Sequence, residues 1–220
     1  MMATIGKAGS RSNTGMSSRL MVALGLCLLF GSTAHAAAER EPYNDRYCTT
    51  CHGSEGGGNE GIQAPRLAGM EAAYLRRQLE NFRAGIRGTH PQDIEGIAMR
   101  PMAVKLTDAS IDDIVVWVGG WPYVPAAPTI SGDVAAGQRL YSNCASCHGE
   151  NAEGLPSFNA PALAGQNDWY LVTQLRDFMA GYRGTHPQDI FGAQMRTMAT
   201  TLGDDSGIMN VVSYINTLGR

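Results

Sequence analysis

The sequence predicts an all-α protein, two tandem copies of one helical domain behind a cleavable leader. Three observations carry that expectation. A self-similarity without gaps joins Cys48 to Cys144, and the same offset joins His52 to His148, Tyr74 to Tyr170, Gln78 to Gln174, Phe82 to Phe178 and Met99 to Met195; such periodicity marks repeated domains. Apolar residues in each copy recur at helical spacing, and no alternating strand pattern interrupts them. The octapeptide RGTHPQDI stands twice, at 87–94 and 183–190.

The leader comes first. Lys7, Arg11 and Arg19 precede the apolar run 20–30, and Ala34-His35-Ala36 supplies an A-x-A site. Together they read as a signal peptide over residues 1–36, which implies export to the periplasm. The apolar run is short for a bilayer span. Cys27 lies within it and leaves with it. The leader holds three basic and no acidic residues, so its removal moves the net charge from −3 to −6. That excludes the basic patch a nucleic-acid binder needs.

The mature chain divides into a first domain over 37–120, a proline-rich linker over 121–131 (WPYVPAAPTIS) and a second domain over 132–220. In the first domain, EREPYNDRYC contains Pro42 and reads as a short helix at best. MEAAYLRRQLENFRAG places Tyr74, Leu75, Gln78, Leu79 and Phe82 on one helical face, with Gly85 as its stop. SIDDIVVWV reads as the closing helix. In the second domain SGDVAAGQRLYSNC runs as a helix into the cysteine pair. NDWYLVTQLRDFMAG ends on Gly181, and GIMNVVSYINTL closes the copy.

Cys48-Thr49-Thr50-Cys51-His52 and Cys144-Ala145-Ser146-Cys147-His148 are both C-x-x-C-H, the spacing of covalent c-type haem attachment. The thiols form thioethers to the haem, and the adjoining His52 or His148 becomes an iron ligand. A zinc site would find only three close ligands per copy, and a redox C-x-x-C lacks a surrounding βαβ pattern. Each copy also carries a late methionine pair, Met99 with Met102 and Met195 with Met198. A thioether is a soft neutral ligand that favours reduced iron. Core packing is the other role open to a methionine, and with two per copy one can ligate while the other packs.

These motifs, with APRLAG and APALAG ahead of the long helices, resemble the dihaem cytochrome c4 family across nearly the whole mature chain. The resemblance implies two class I cytochrome c domains related by a pseudo-two-fold axis, each with one covalent haem c. It implies Met99 and Met195 as axial ligands, and Pro65 and Pro161 as carbonyl acceptors for His52 and His148. It implies an electron carrier rather than an enzyme, serving redox protein partners such as a membrane-bound donor complex and a terminal oxidase. Peripheral contact with a membrane surface is compatible with that role. The alternatives are an electron-transfer subunit of a dehydrogenase, and a dihaem peroxidase or thiosulfate-oxidising enzyme.

The octapeptide departs from better-known members of that family. Thr89-His90-Pro91-Gln92 matches a capping box, with Thr89 as N-cap and Gly96 as a stop, and so predicts a short helical turn leading to the methionine. The second copy repeats it at Thr185 and Gly192. His90 and His186 compete with methionine as iron ligands, and Arg87, His90, Arg183 and His186 are candidates to bond haem propionates near the domain interface.

Overall fold

The computed structural model describes residues 46–219; the leader and its cleavage site lie outside the described residues. Eight α-helices and two single 3-10 turns make up the regular structure there. The two copies repeat one plan. A helix ends in the C-x-x-C-H motif: α1, Arg46–His52, and α5, Val134–His148. A long helix follows: α2, Ala72–Ala84, and α6, Asp168–Ala180. The methionine helix comes next: α3, Ile94–Ala103, and α7, Ile190–Thr200. A last helix closes the copy: α4, Asp108–Gly119, and α8, Asp205–Ile215. Residues 122–133 carry no regular structure between the copies.

Local chemistry sets these ends. α2 and α6 stop where Gly85 and Gly181 turn left-handed, at φ 72° and 74°, a conformation glycine adopts without steric cost. Thr107 and Asp204 cap α4 and α8 by accepting from Ser110 and Gly207 N–H groups. The apolar faces then meet. In the first copy Leu75 and Leu79 of α2 pack with Ile111, Ile114, Val115 and Val118 of α4. In the second, Leu171 and Val172 of α6 pack with Tyr141 of α5 and with Ile208, Val211, Val212 and Ile215 of α8.

The octapeptide folds differently from its sequence reading. Thr89 is exposed and caps nothing. His90 opens a tight turn instead, with the Asp93 N–H donating to the His90 carbonyl at 3.0 Å, and Pro91 occupies the second turn position that its fixed φ suits. The His90 ring also accepts, at Nδ1, from the Gln92 N–H at 3.2 Å. The helix begins only after Asp93, whose Oδ1 caps it by accepting from the Gly96 N–H at 2.9 Å. Gly96 is therefore inside α3 and does not stop it. A Cβ at Gly96 would fall 2.2 Å from Asp93 Oδ2, so glycine there makes room for the capping carboxylate. His186, Gln188, Asp189 and Gly192 repeat the arrangement.

Gly88 feeds this turn at φ 76°, and a Cβ on it would lie 2.2 Å from the Gly96 carbonyl oxygen. Gly88→Ala thus combines backbone strain with a clash against main chain. We expect it to cost about 1–3 kcal/mol, read as a lower denaturant midpoint in circular dichroism.

Candidate haem sites

A helix places residues i, i+3 and i+4 on one face. On α1 that sequence is Cys48, Cys51 and His52, and on α5 it is Cys144, Cys147 and His148. Both thiols and the imidazole of each motif therefore face one side. Of the four motif cysteines, Cys51 and Cys147 are exposed and Cys48 and Cys144 partly covered. Burial, with the neighbouring Cys147, pushes the Cys144 thiol up to about 11.

His52 and His148 are buried. Each places Nδ1 against a proline carbonyl, His52 on Pro65 at 2.7 Å and His148 on Pro161 at 2.8 Å. Burial lowers both histidines below their ordinary value, only partly offset by those backbone bonds. The rings are thus neutral, with Nδ1 carrying the proton toward the carbonyl. Nε2 keeps its lone pair for a metal. A carbonyl partner of this kind fixes the ring and raises its basicity as a ligand.

In the second copy these groups open onto a largely apolar cavity. Cys144, Cys147, His148, Pro161, Met195 and Met198 all line it. In the first copy Met99 packs against the buried core beside α2 and α4, whereas Met102 is 54% exposed. The donor set fits a covalent haem: paired thiols, a neutral imidazole and a soft sulfur around an apolar space. His90 and His186 line a separate cleft between the two octapeptides, and His90 stacks on Tyr182 at 4.8 Å.

The copies meet through residues whose repetition was visible but whose partners were not. Arg87 donates through Nη1 to Gln78 Oε1 at 2.7 Å, and through Nη2 to Gln174 Oε1 at 2.8 Å and the Tyr170 hydroxyl at 3.3 Å. Arg183 returns each bond: to Gln174 Oε1, to Gln78 Oε1 at 2.9 Å and to the Tyr74 hydroxyl at 3.2 Å. Residue i touches j and j touches i, the signature of two-fold contact. Tyr74 and Gln78, from the first copy, line the cavity of the second. Both guanidiniums are buried and each Nε lacks a partner.

The Cytochrome c family matches residues 40–120 and again 134–219. Cytochrome c4 of Stutzerimonas stutzeri is 37% identical over 212 residues, covering 91% of this chain and 99% of its own. A thiosulfate dehydrogenase electron acceptor of Stutzerimonas stutzeri (strain A1501) is 31% identical over 184 residues, 79% of each chain. The crystal structure of reduced recombinant cytochrome c4 from Pseudomonas stutzeri superposes with a TM-score of 0.60 at 28% identity, covering 78% of this chain and 93% of that one. The repeated fold, the paired C-x-x-C-H helices and these matches together place the chain in the dihaem cytochrome c4 family, with two covalently bound haem c groups.

Proposed function

We propose that this chain is a periplasmic electron carrier in which His52 and Met99 hold one iron and His148 and Met195 the other. The observation that carries the reading is the placement of the methionines. Met195 lines the same cavity as His148, and Met99 turns into the core while Met102 faces solvent. Each haem, when bound, supplies a one-electron couple. The protein's own work is to hold it still. The proline carbonyls orient the imidazoles, apolar side chains exclude water, and the arginine–glutamine–tyrosine network locks the two copies together. A histidine and a methionine in each copy would hold its haem iron and leave no position open for substrate, which supports a carrier over an enzyme. Among the described residues no helix is long and apolar enough to cross a membrane.

A membrane-bound donor complex and a terminal oxidase are the partners this reading assigns. A second reading, a dedicated acceptor for a dehydrogenase, is favoured by one observation: a relative named as a thiosulfate dehydrogenase electron acceptor. Stopped-flow mixing of the reduced protein with oxidase-containing membranes, and of the oxidised protein with a thiosulfate dehydrogenase, separates the two. For ligation, the oxidised holoprotein should show the weak red or near-infrared methionine–iron band. The reduced form should not change with carbon monoxide; ready binding would overturn the carrier assignment.

A further inference from the structure

Three carboxylates sit together at the contact between the copies and belong to neither haem site. Asp93 and Glu95 stand at the start of α3 in the first copy, and Asp177 stands in the last turn of α6 in the second. One oxygen from each lies within 4.8 Å of the others. Asp93 is 1% exposed and Asp177 6%. Among the described residues, none of the three makes an ion pair within 4.0 Å of a basic group.

Two further observations bear on what these oxygens could bind. Asp93 spends Oδ1 on its helix cap, and its Oδ2 is enclosed with no hydrogen-bond donor in reach. Such a buried oxygen calls for a partner. Asp177 has only the Gln174 amide at 3.5 Å, and it sits near the negative end of its helix, where a second negative charge is disfavoured. Burial, then Asp93 and Glu95, push Asp177 up to about 7 against the pull of Arg183 and Arg87.

The equivalent positions in the other half are Asp189, Phe191 and Asn81. The cluster therefore occurs once, although the surrounding fold occurs twice. Its ligands are oxygens, which suit a hard cation. Calcium accepts irregular carboxylate sets, whereas magnesium demands a near-ideal octahedron.

We propose that Asp93, Glu95 and Asp177 form one calcium site that ties α3 of the first copy to α6 of the second. Asp93 and Glu95 face the ion from α3, Asp177 and Gln174 border it on α6, and Arg87 and Arg183 flank it from the octapeptide loops. Bound calcium displaces the proton that Asp177 otherwise holds.

The test is calorimetric titration of chelator-treated holoprotein with calcium chloride near neutral pH. We expect one saturable equivalent, with a dissociation constant of about 10⁻⁴–10⁻³ M, as in weak extracellular calcium modules. Proton release should grow as the pH is lowered toward 7, and the thermal midpoint should rise with calcium. Glu95→Gln, at the half-buried mouth, should weaken binding about tenfold or more, a loss of one charged oxygen ligand, with the haem spectrum unchanged. Asp177→Asn should abolish it. Absence of saturable binding at roughly 10 mM calcium, or equal binding by the wild type and Glu95→Gln, overturns the proposal. So does a proton that titrates at Asp177 with no response to calcium.

Discussion

Met195→Ala opens one coordination position on the second haem and leaves the first intact. Reduced protein should then bind about one carbon monoxide per chain, and the methionine–iron band should fall to about half, since one of two thioether ligands is gone. The potential of the second haem should drop, because a thioether favours reduced iron. Met99→Ala should do the same to the first haem alone. Met102→Ala, at a side chain 54% exposed, should change neither. The second copy offers a sharper control, because Met198 lines the same cavity as Met195. If Met198→Ala opened the iron and Met195→Ala did not, the ligand assignment would be wrong.

Asp168→Ala should be the most damaging change to stability outside the haem sites. Asp168 is 1% exposed. It accepts from the Thr129 N–H at 2.6 Å, the Thr129 hydroxyl at 2.7 Å, the Ile130 N–H at 2.8 Å and the Asn216 amide at 2.9 Å. Its other contact is the Trp169 N–H at 2.8 Å. One carboxylate thus pins the inter-copy segment to the start of α6 and the end of α8. Its loss strands main-chain donors, and we expect a cost of about 3 kcal/mol or more, since each buried donor left unpaired costs about 1–3 kcal/mol. Burial alone would raise Asp168, but bonds from Ile130, Thr129 and Asn216 hold it below the usual carboxylate value. Its stabilisation is then fully present above about pH 3.9 and is lost as pH falls through the lower folded value. Urea midpoints measured across that acid range should fall steeply for the wild type and less so for the variant.

The helices and the haem motif were legible because each depends on residues close in sequence. The C-x-x-C-H spacing reports its own geometry, since helical periodicity alone brings Cys48, Cys51 and His52 to one face. The stops at Gly85 and Gly181 follow from backbone chemistry in the same way. The start of α3 was misread because Thr89-x-x-Gln92 and Asp93-x-x-Gly96 compete as caps. The histidine–proline turn decides between them by closing 90–93 into a turn before the helix begins. The contact between copies was out of reach for another reason. Gln78 reads as one more residue on a helical face, and nothing nearby in sequence says that it accepts from an arginine 105 positions away.

The reciprocal arginine contacts also bear on how the protein behaves on dilution. If the copies were separate chains, the same contact would make a dimer that dissociates at low concentration. Residues 122–133 turn that encounter into an intramolecular one, whose effective concentration is set by the tether. Electron exchange between the haems should then follow first-order kinetics, independent of protein concentration. The tether also releases the halves from having to be identical. Arg66, Glu71 and Arg77 from the first copy line the second haem cavity, while their counterparts are the uncharged Ala162, Asn167 and Thr173. A strict homodimer could not place different charges around its two haems; a fused pair can.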